Sequence, residues 1–315
     1  MNYGWVGIGG VGLALLATML IGLELGLRWR FGFGKPLLYL ADPQIGYLIA
    51  PNQQTRRFGN RIQINPYSMR SPAIDPTRPA QTWRILLLGD SVVNGGWWTD
   101  QTQTLTALLQ TELQRLNTHP IEVLNASANS WSPRNELAYL RRFGSFESQT
   151  LILVINTDDL FGTAPYSVVV GRDPNYPNRQ PPLALAEVLS RYVFKPSPIP
   201  ELKAIQAESG DRVGFNLEAI RQIRDFAAQT DTQFMLLLTP LLRELGQPGP
   251  RDYERQARQR LQEFTVSQGI RYVDLLPIFN SLPDPRAIYH DHIHLNVQGN
   301  RQVVQVIQDK IESRF

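Results

Sequence analysis

Trp83-Arg84-Ile85-Leu86-Leu87-Leu88-Gly89-Asp90-Ser91 is the stretch on which the fold turns. Its apolar core is too short for a helix and lacks the alternation of a strand with one wet face. It reads as a strand over Arg84–Leu88, buried on both faces of a parallel sheet. The strand runs directly into Gly89-Asp90-Ser91. Glycine accommodates a tight backbone, and the reactive groups of open parallel sheets gather at the carboxyl ends of their strands.

Downstream the pattern repeats. Helical apolar spacing covers Thr104–Leu116, and Ile121–Leu124 reads as a second strand. Pro133–Phe143 is a helix with Ser132 placed to cap it and proline at its first position. Leu151–Ile155 is a third strand, Phe215–Ala228 a helix, Gln233–Leu238 a fourth strand, Tyr253–Phe264 a helix and Ile270–Leu275 a fifth strand. Gly299–Ser313 closes the chain as a helix. Such alternation predicts an α/β fold, a three-layer α/β/α arrangement of flavodoxin-like kind around a five-stranded parallel sheet. Residues 161–212 break the rhythm with many prolines. An insertion of that length is expected to serve as a lid or an acceptor-binding surface.

Upstream of the strand, Trp5–Leu27 is apolar except for Glu24, long enough to cross a hydrocarbon core. A cleaved signal peptide fits poorly, because no basic region precedes the run and no A-x-A-like site follows it. Gly4, Gly7, Gly9, Gly10 and Gly12 would weaken a soluble helix but permit close contact between helices in lipid. The expectation is a retained single-span anchor with Glu24 near the interface. Residues 28–80 then form a juxtamembrane connector. Its short apolar pieces, Leu37–Leu40, Gly46–Ile49 and Ile62–Ile64, suggest that it packs on the main body. The expected division is an anchor over 1–27, a connector over 28–80 and a catalytic domain over 81–315.

Composition removes several classes of function. The 315 residues carry a formal charge of only +3 and no long basic run, which argues against a nucleic-acid partner. There is no cysteine, so disulfides, thiolate catalysis and cysteine-ligated zinc are excluded.

A serine is a weak nucleophile unless a base takes its proton and a third group orients that base. Near the C-terminus stands Asp291-His292-Ile293-His294. The spacing of three brings Asp291 to one ring nitrogen of His294 and leaves the other for Ser91. Val93 occupies the position of the second glycine of a G-x-S-x-G elbow, which argues against the α/β-hydrolase fold.

With these blocks in order, residues 83–315 resemble the SGNH/GDSL hydrolase superfamily, and the chain is similar to its membrane-anchored members. Gly46-Tyr47 and Asn65–Arg70 are similar to sequences that precede the domain in such members. The resemblance implies Ser91 as nucleophile, Asp291 and His294 as its activating pair, and no cofactor. It also implies an oxyanion hole built from Ser91, from Ser130 in place of the family's glycine, and from the third block, Asn156-Thr157-Asp158-Asp159. There Asp158 stands where the family has asparagine, and an ionised carboxylate cannot donate to an oxyanion. Asn156 and Asn129 are equally open as substitute donors.

Asp90 is expected to shape the turn. Trp97 and Trp98 either line an acyl or sugar subsite or pack at a helix start. His290, His292 and His294 would share one face of a strand, but nothing nearby completes a metal-ligand set, so no metal is expected. His119 reads as a solvated loop residue. The expected activity is hydrolysis of esters on cell-envelope or small-molecule substrates, carbohydrates among them. The alternatives are an O-acyltransferase acting on an envelope polysaccharide and a non-catalytic envelope protein that kept the fold. Arg28, Arg30 and Lys35 favour a cytoplasmic domain. The resemblance favours an extracytoplasmic one, which is preferred because long domains translocate largely regardless of charge.

Overall fold

The structure is a computed structural model that describes residues 3–312. Helix α1 (Tyr3–Gly26) continues through a wider turn to Phe31 and ends at Gly32 with φ of 75°. A side chain at Gly32 would collide with the Arg56 carbonyl, so only glycine serves there. The stretch Gly10–Phe31 is one helix long and apolar enough to cross a membrane, and none of it is buried in the body. Glu24 does more than mark an interface. Its carboxylate accepts the backbone N–H groups of Ala184 (2.8 Å) and Leu185 (3.0 Å) and pairs with Arg28 at 2.6 Å.

Residues 28–80 contain two antiparallel hairpins that the sequence did not announce. In the first, β1 (Tyr39–Asp42) pairs with β2 (Gly46–Ile49), and in the second β3 (Gln53–Arg57) pairs with β4 (Asn60–Ile64). Tyr39, Ile45, Tyr47, Ile49, Ile62, Ile64 and Met69 are all buried in the same core as the main sheet. These residues of the two hairpins and the loop after them therefore pack on the body.

The main sheet holds β5 (Trp83–Gly89), β6 (Ile121–Ser127), β7 (Thr150–Asn156), β8 (Gln233–Thr239) and β9 (Arg271–Asp274), all parallel, in the order β6-β5-β7-β8-β9. This is the flavodoxin-like order, with its switch point between β5 and β7. Side chains alternate faces along each strand. Leu86, Leu88, Leu153 and Leu236 face α4 (Pro133–Phe143), α7 (Arg212–Gln229) and α8 (Asp252–Ser267). Ile85, Leu87, Val154 and Leu237 face the other layer. That layer comprises α3 (Leu105–Leu116), α9 (Leu275–Asn280) and α10 (Val297–Glu312). Ser313, the expected end of the closing helix, lies outside the described residues.

Between β5 and α3 a single turn, α2 (Ser91–Asn94), follows the first strand. The interruption after β7 contains α5 (Ala184–Val188), a wide turn to Val193, and α6 (Pro200–Gln206). The sheet register sets Gly89 level with Ser127 on one side and Val154 on the other, so the ends of β5, β6 and β7 open into one crevice.

Candidate active site

Gly89 has no room for a side chain: a Cβ would lie 2.4 Å from Val93 Cγ2 and 2.7 Å from the Val154 carbonyl oxygen. The chain can therefore turn sharply and present Ser91 at the first position of α2. Asp90 caps this turn, accepting the Val92 N–H at 2.8 Å. Ser91 Oγ lies 2.8 Å from His294 Nε2, across 203 residues of sequence. His294 Nδ1 lies 2.8 Å from Asp291 Oδ2. Asp291 Oδ1 accepts the backbone N–H groups of Ile293 and His294, each at 2.9 Å. The loop is closed by the His290 N–H donating to the His294 carbonyl at 2.8 Å. Partial burial works to raise the Asp291 pKa, but the His294 and Ile293 donors outweigh it and hold the carboxyl below its ordinary range. The acid is thus kept ionised opposite the imidazole.

His292 turns into solvent, 84% exposed. His290 stacks on Trp98, with ring centres 5.2 Å apart and planes 8° from parallel. Of these three histidines only His294 reaches Ser91. Among the described residues no group of three His, Asp or Glu is arranged to hold a metal.

On the opposite side of the crevice, Ser130 adopts φ of 58°, the left-handed conformation that favours glycine. Its loop is held by aromatic hydroxyls. Tyr176 donates to Ser130 Oγ at 3.1 Å and Tyr47 to the Asn129 carbonyl at 2.5 Å, while Trp131 Nε1 donates to the Tyr47 carbonyl at 3.1 Å. Tyr47 comes from the first hairpin and Tyr176 from the interruption after β7, so two peripheral segments brace one loop of the site.

The third block is arranged differently from the expectation. Asn156 is buried, and its Nδ2 donates to Asp90 Oδ2 at 2.9 Å while its Oδ1 accepts the Asp158 N–H at 2.7 Å. Its amide is engaged in the turn and is withdrawn from the crevice. Asp158 is exposed, and its carboxylate hydrogen-bonds nothing among the described residues. Partial burial raises its pKa, with Arg243 opposing and Glu254 assisting. Neither residue lines the cavity at Ser91, whereas Asn129 and Ser130 do.

Beside the nucleophile turn three acids are buried: Asp90, Asp159 and Glu136. Asp159 Oδ2 accepts the Asn156 N–H at 2.8 Å. Both Glu136 oxygens are buried without a partner among the described residues. Burial first, then repulsion from neighbouring acids, raises the pKa of Glu136 and of Asp159 well above the ordinary carboxylate value and favours their protonated forms. Asp90 is pushed up by burial but accepts the Val92 N–H and the Asn156 amide, so it is the member of the group suited to carry charge. Nothing in sequence order signals this grouping, because its members come from three different strand ends and helices.

A cavity of about 300 Å³ holds Ser91 and His294, and Trp97 and Trp98 both line it. Trp98 also lies 4.4 Å, centre to centre, from the His294 ring. The loop carrying both tryptophans is clamped by Arg70, a residue that sequence reading left in the connector. Its guanidinium is buried and donates to the carbonyls of Asn94 (2.7 Å), Gly96 and Thr99 (2.5 Å). Burial pulls its pKa down to about 10, still charged at neutral pH.

Residues 87–302 match the family model described as GDSL-like lipase/acylhydrolase. No curated protein sequence matches the chain. Solved structures similar to it include the lipase/acylhydrolase from Enterococcus faecalis, with 14% identity and a TM-score of 0.48, covering 74% of this chain and 96% of its own. The acetyl xylan esterase AlAXEase shows 10% identity and a TM-score of 0.49 over 72% of this chain and 99% of its own. A catalytic mutant of an acetylxylan esterase from Geobacillus stearothermophilus shows 14% identity and a TM-score of 0.47 over 73% and 94%.

Proposed function

The chain belongs to the GDSL-like lipase/acylhydrolase family, and from that membership we propose that it is a serine esterase working through an acyl-Ser91 intermediate. The observation that carries the reading is the continuous path from Asp291 through His294 to Ser91, two contacts of 2.8 Å each. His294 Nε2 takes the Ser91 proton as Oγ attacks the ester carbonyl, and Asp291 holds the ring and balances its charge. The backbone N–H groups of Ser91 and Ser130 receive the oxyanion. His294 then returns the proton to the leaving alcohol, and a water activated the same way releases the acid.

Transfer of the acyl group to a carbohydrate hydroxyl is a second reading. Its support is the contribution of Asn175, Tyr176, Arg191 and Tyr192, all from the interruption after β7, to the cavity wall. Assays with and without an added acceptor separate it from hydrolysis. In either case α1 serves as a single-span anchor over residues 1–27, residues 28–80 as a bracing connector, and residues 81–315 as a catalytic domain outside the cytoplasm.

A fluorophosphonate probe should label the protein at Ser91. Ser91→Ala should abolish labelling, and His294→Ala should lower any ester turnover by a factor of about 10³ or more. His292→Ala should change it little. Labelling that survives Ser91→Ala, or equal damage from the two histidine changes, would overturn this assignment.

A further inference from the structure

The wall of the Ser91 cavity carries Lys35, Arg57 and Arg191, and not one Asp or Glu. The carboxylate bonded to the two guanidiniums is Glu187, which stands behind them. It accepts Arg57 Nη2, Arg191 Nε at 3.0 Å and the Gly34 N–H at 2.6 Å. Lys35 forms no ion pair among the described residues, although its ammonium is exposed. Three cations therefore line the wall, and the one carboxylate among their partners answers only the two guanidiniums, leaving two positive charges in excess.

Arg57 is in the least comfortable position. Its side chain is 9% exposed, and Nη1 is buried with no partner among the described residues. A guanidinium removed from water and given half of one carboxylate is under-compensated. An anion entering the cavity would offset that cost, and in a partly enclosed site its attraction to the cations is several-fold stronger than in bulk water.

Building on the esterase reading, we propose that the ester substrate carries an oxyanion group, a carboxylate or a phosphate, which is held by Arg191 and Lys35 with Arg57 behind them. Aromatic residues Trp97, Trp98 and Tyr192 in the same wall take the uncharged part of the molecule. The arrangement selects esters of acidic sugars or of anionic lipid headgroups over neutral esters.

The test uses the full-length protein in neutral detergent and acetate esters of a uronic acid paired with those of its methyl ester, identical except for the charge. The acid should show at least about tenfold higher kcat/KM at low salt, with the ratio falling as sodium chloride is raised. Arg191→Gln and Lys35→Gln should each reduce that ratio. Arg57 is a poor target because its buried pair supports the fold. Inhibition by mixed micelles of phosphatidylglycerol and not by those of phosphatidylcholine would assign the site to a lipid headgroup. Inhibition by inorganic phosphate without a lipid effect would assign it to a soluble or polymeric anion.

A ratio near one, unmoved by salt or by either substitution, would overturn the inference while leaving the esterase intact. If neither ester is hydrolysed, the esterase reading fails. Calorimetric binding of phosphate to wild type and to Arg191→Gln then decides the anion site by itself: loss of binding in the variant supports it, and equal or absent binding sinks it.

Discussion

At the scale of single residues, Asp158 stands where the resemblance led to the expectation of an asparagine. The structure leaves its carboxylate partly exposed, without a hydrogen bond among the described residues and outside the cavity wall, so it neither supplies an oxyanion donor nor blocks one. Asp158→Asn removes a negative charge beside the crevice and adds an amide. Ester turnover should be kept, with a rise of no more than about threefold at high pH, where the native carboxyl is ionised and its charge is screened by solvent. The check is a pH–rate profile of both forms on a small activated ester, and a loss at every pH would show that Asp158 has a task of its own. The contact of Ser91 with His294 and Asp291 has a sequence signal on both sides, a Gly-Asp-Ser at a strand end and an Asp–His spacing of three in the loop before α10. Arg70, Tyr47 and Tyr176 have no such signal. They act by buried hydrogen bonds to carbonyl or hydroxyl oxygens at distant positions, and such partners leave no pattern in the chain. Ser130 lies between these cases: its place in the second block was readable, while its left-handed backbone was not.

At the scale of elements, the five core strands could be read because burial on both faces makes them uniformly apolar. The second hairpin escaped notice for the opposite reason. Its strand Gln53–Arg57 is polar throughout, with only Arg57 buried, so neither alternation nor an apolar run marks it. Helix α1 was readable from length and composition, and its proposed role as an anchor is open to direct measurement. Full-length protein should stay with membranes through a carbonate wash, and a form beginning at residue 36 should be released. Protease added to intact spheroplasts should digest the catalytic domain, whereas protection until lysis would place it on the cytoplasmic side.

At the scale of the whole molecule, the buried acids set how stability responds to pH. Glu136 holds its proton in the fold because burial raises its pKa, but it ionises freely near pH 4.3 when the chain unfolds. Its contribution to stability is therefore fully present below that pH and declines as pH rises toward the folded value. Each unit of separation costs about 1.4 kcal/mol. Glu136→Met has a similar volume and needs no partners, so it should stabilise the protein more at pH 8 than at pH 5 in denaturant titrations. An equal change at both pH values would mean that the carboxyl is not the neutral, orphaned group described here. The tie between Glu24 and the start of α5 bears on any experiment that begins by trimming the chain. Cutting before residue 36 removes the caps on the Ala184 and Leu185 N–H groups, the Arg28 donor to the Pro182 carbonyl (3.2 Å), and the Gly34 N–H that Glu187 accepts. All of these hold the segment that brings Arg191 and Tyr192 to the cavity. A soluble fragment is thus a pocket variant as well as a deletion, and its rates against the intact protein report two changes at once.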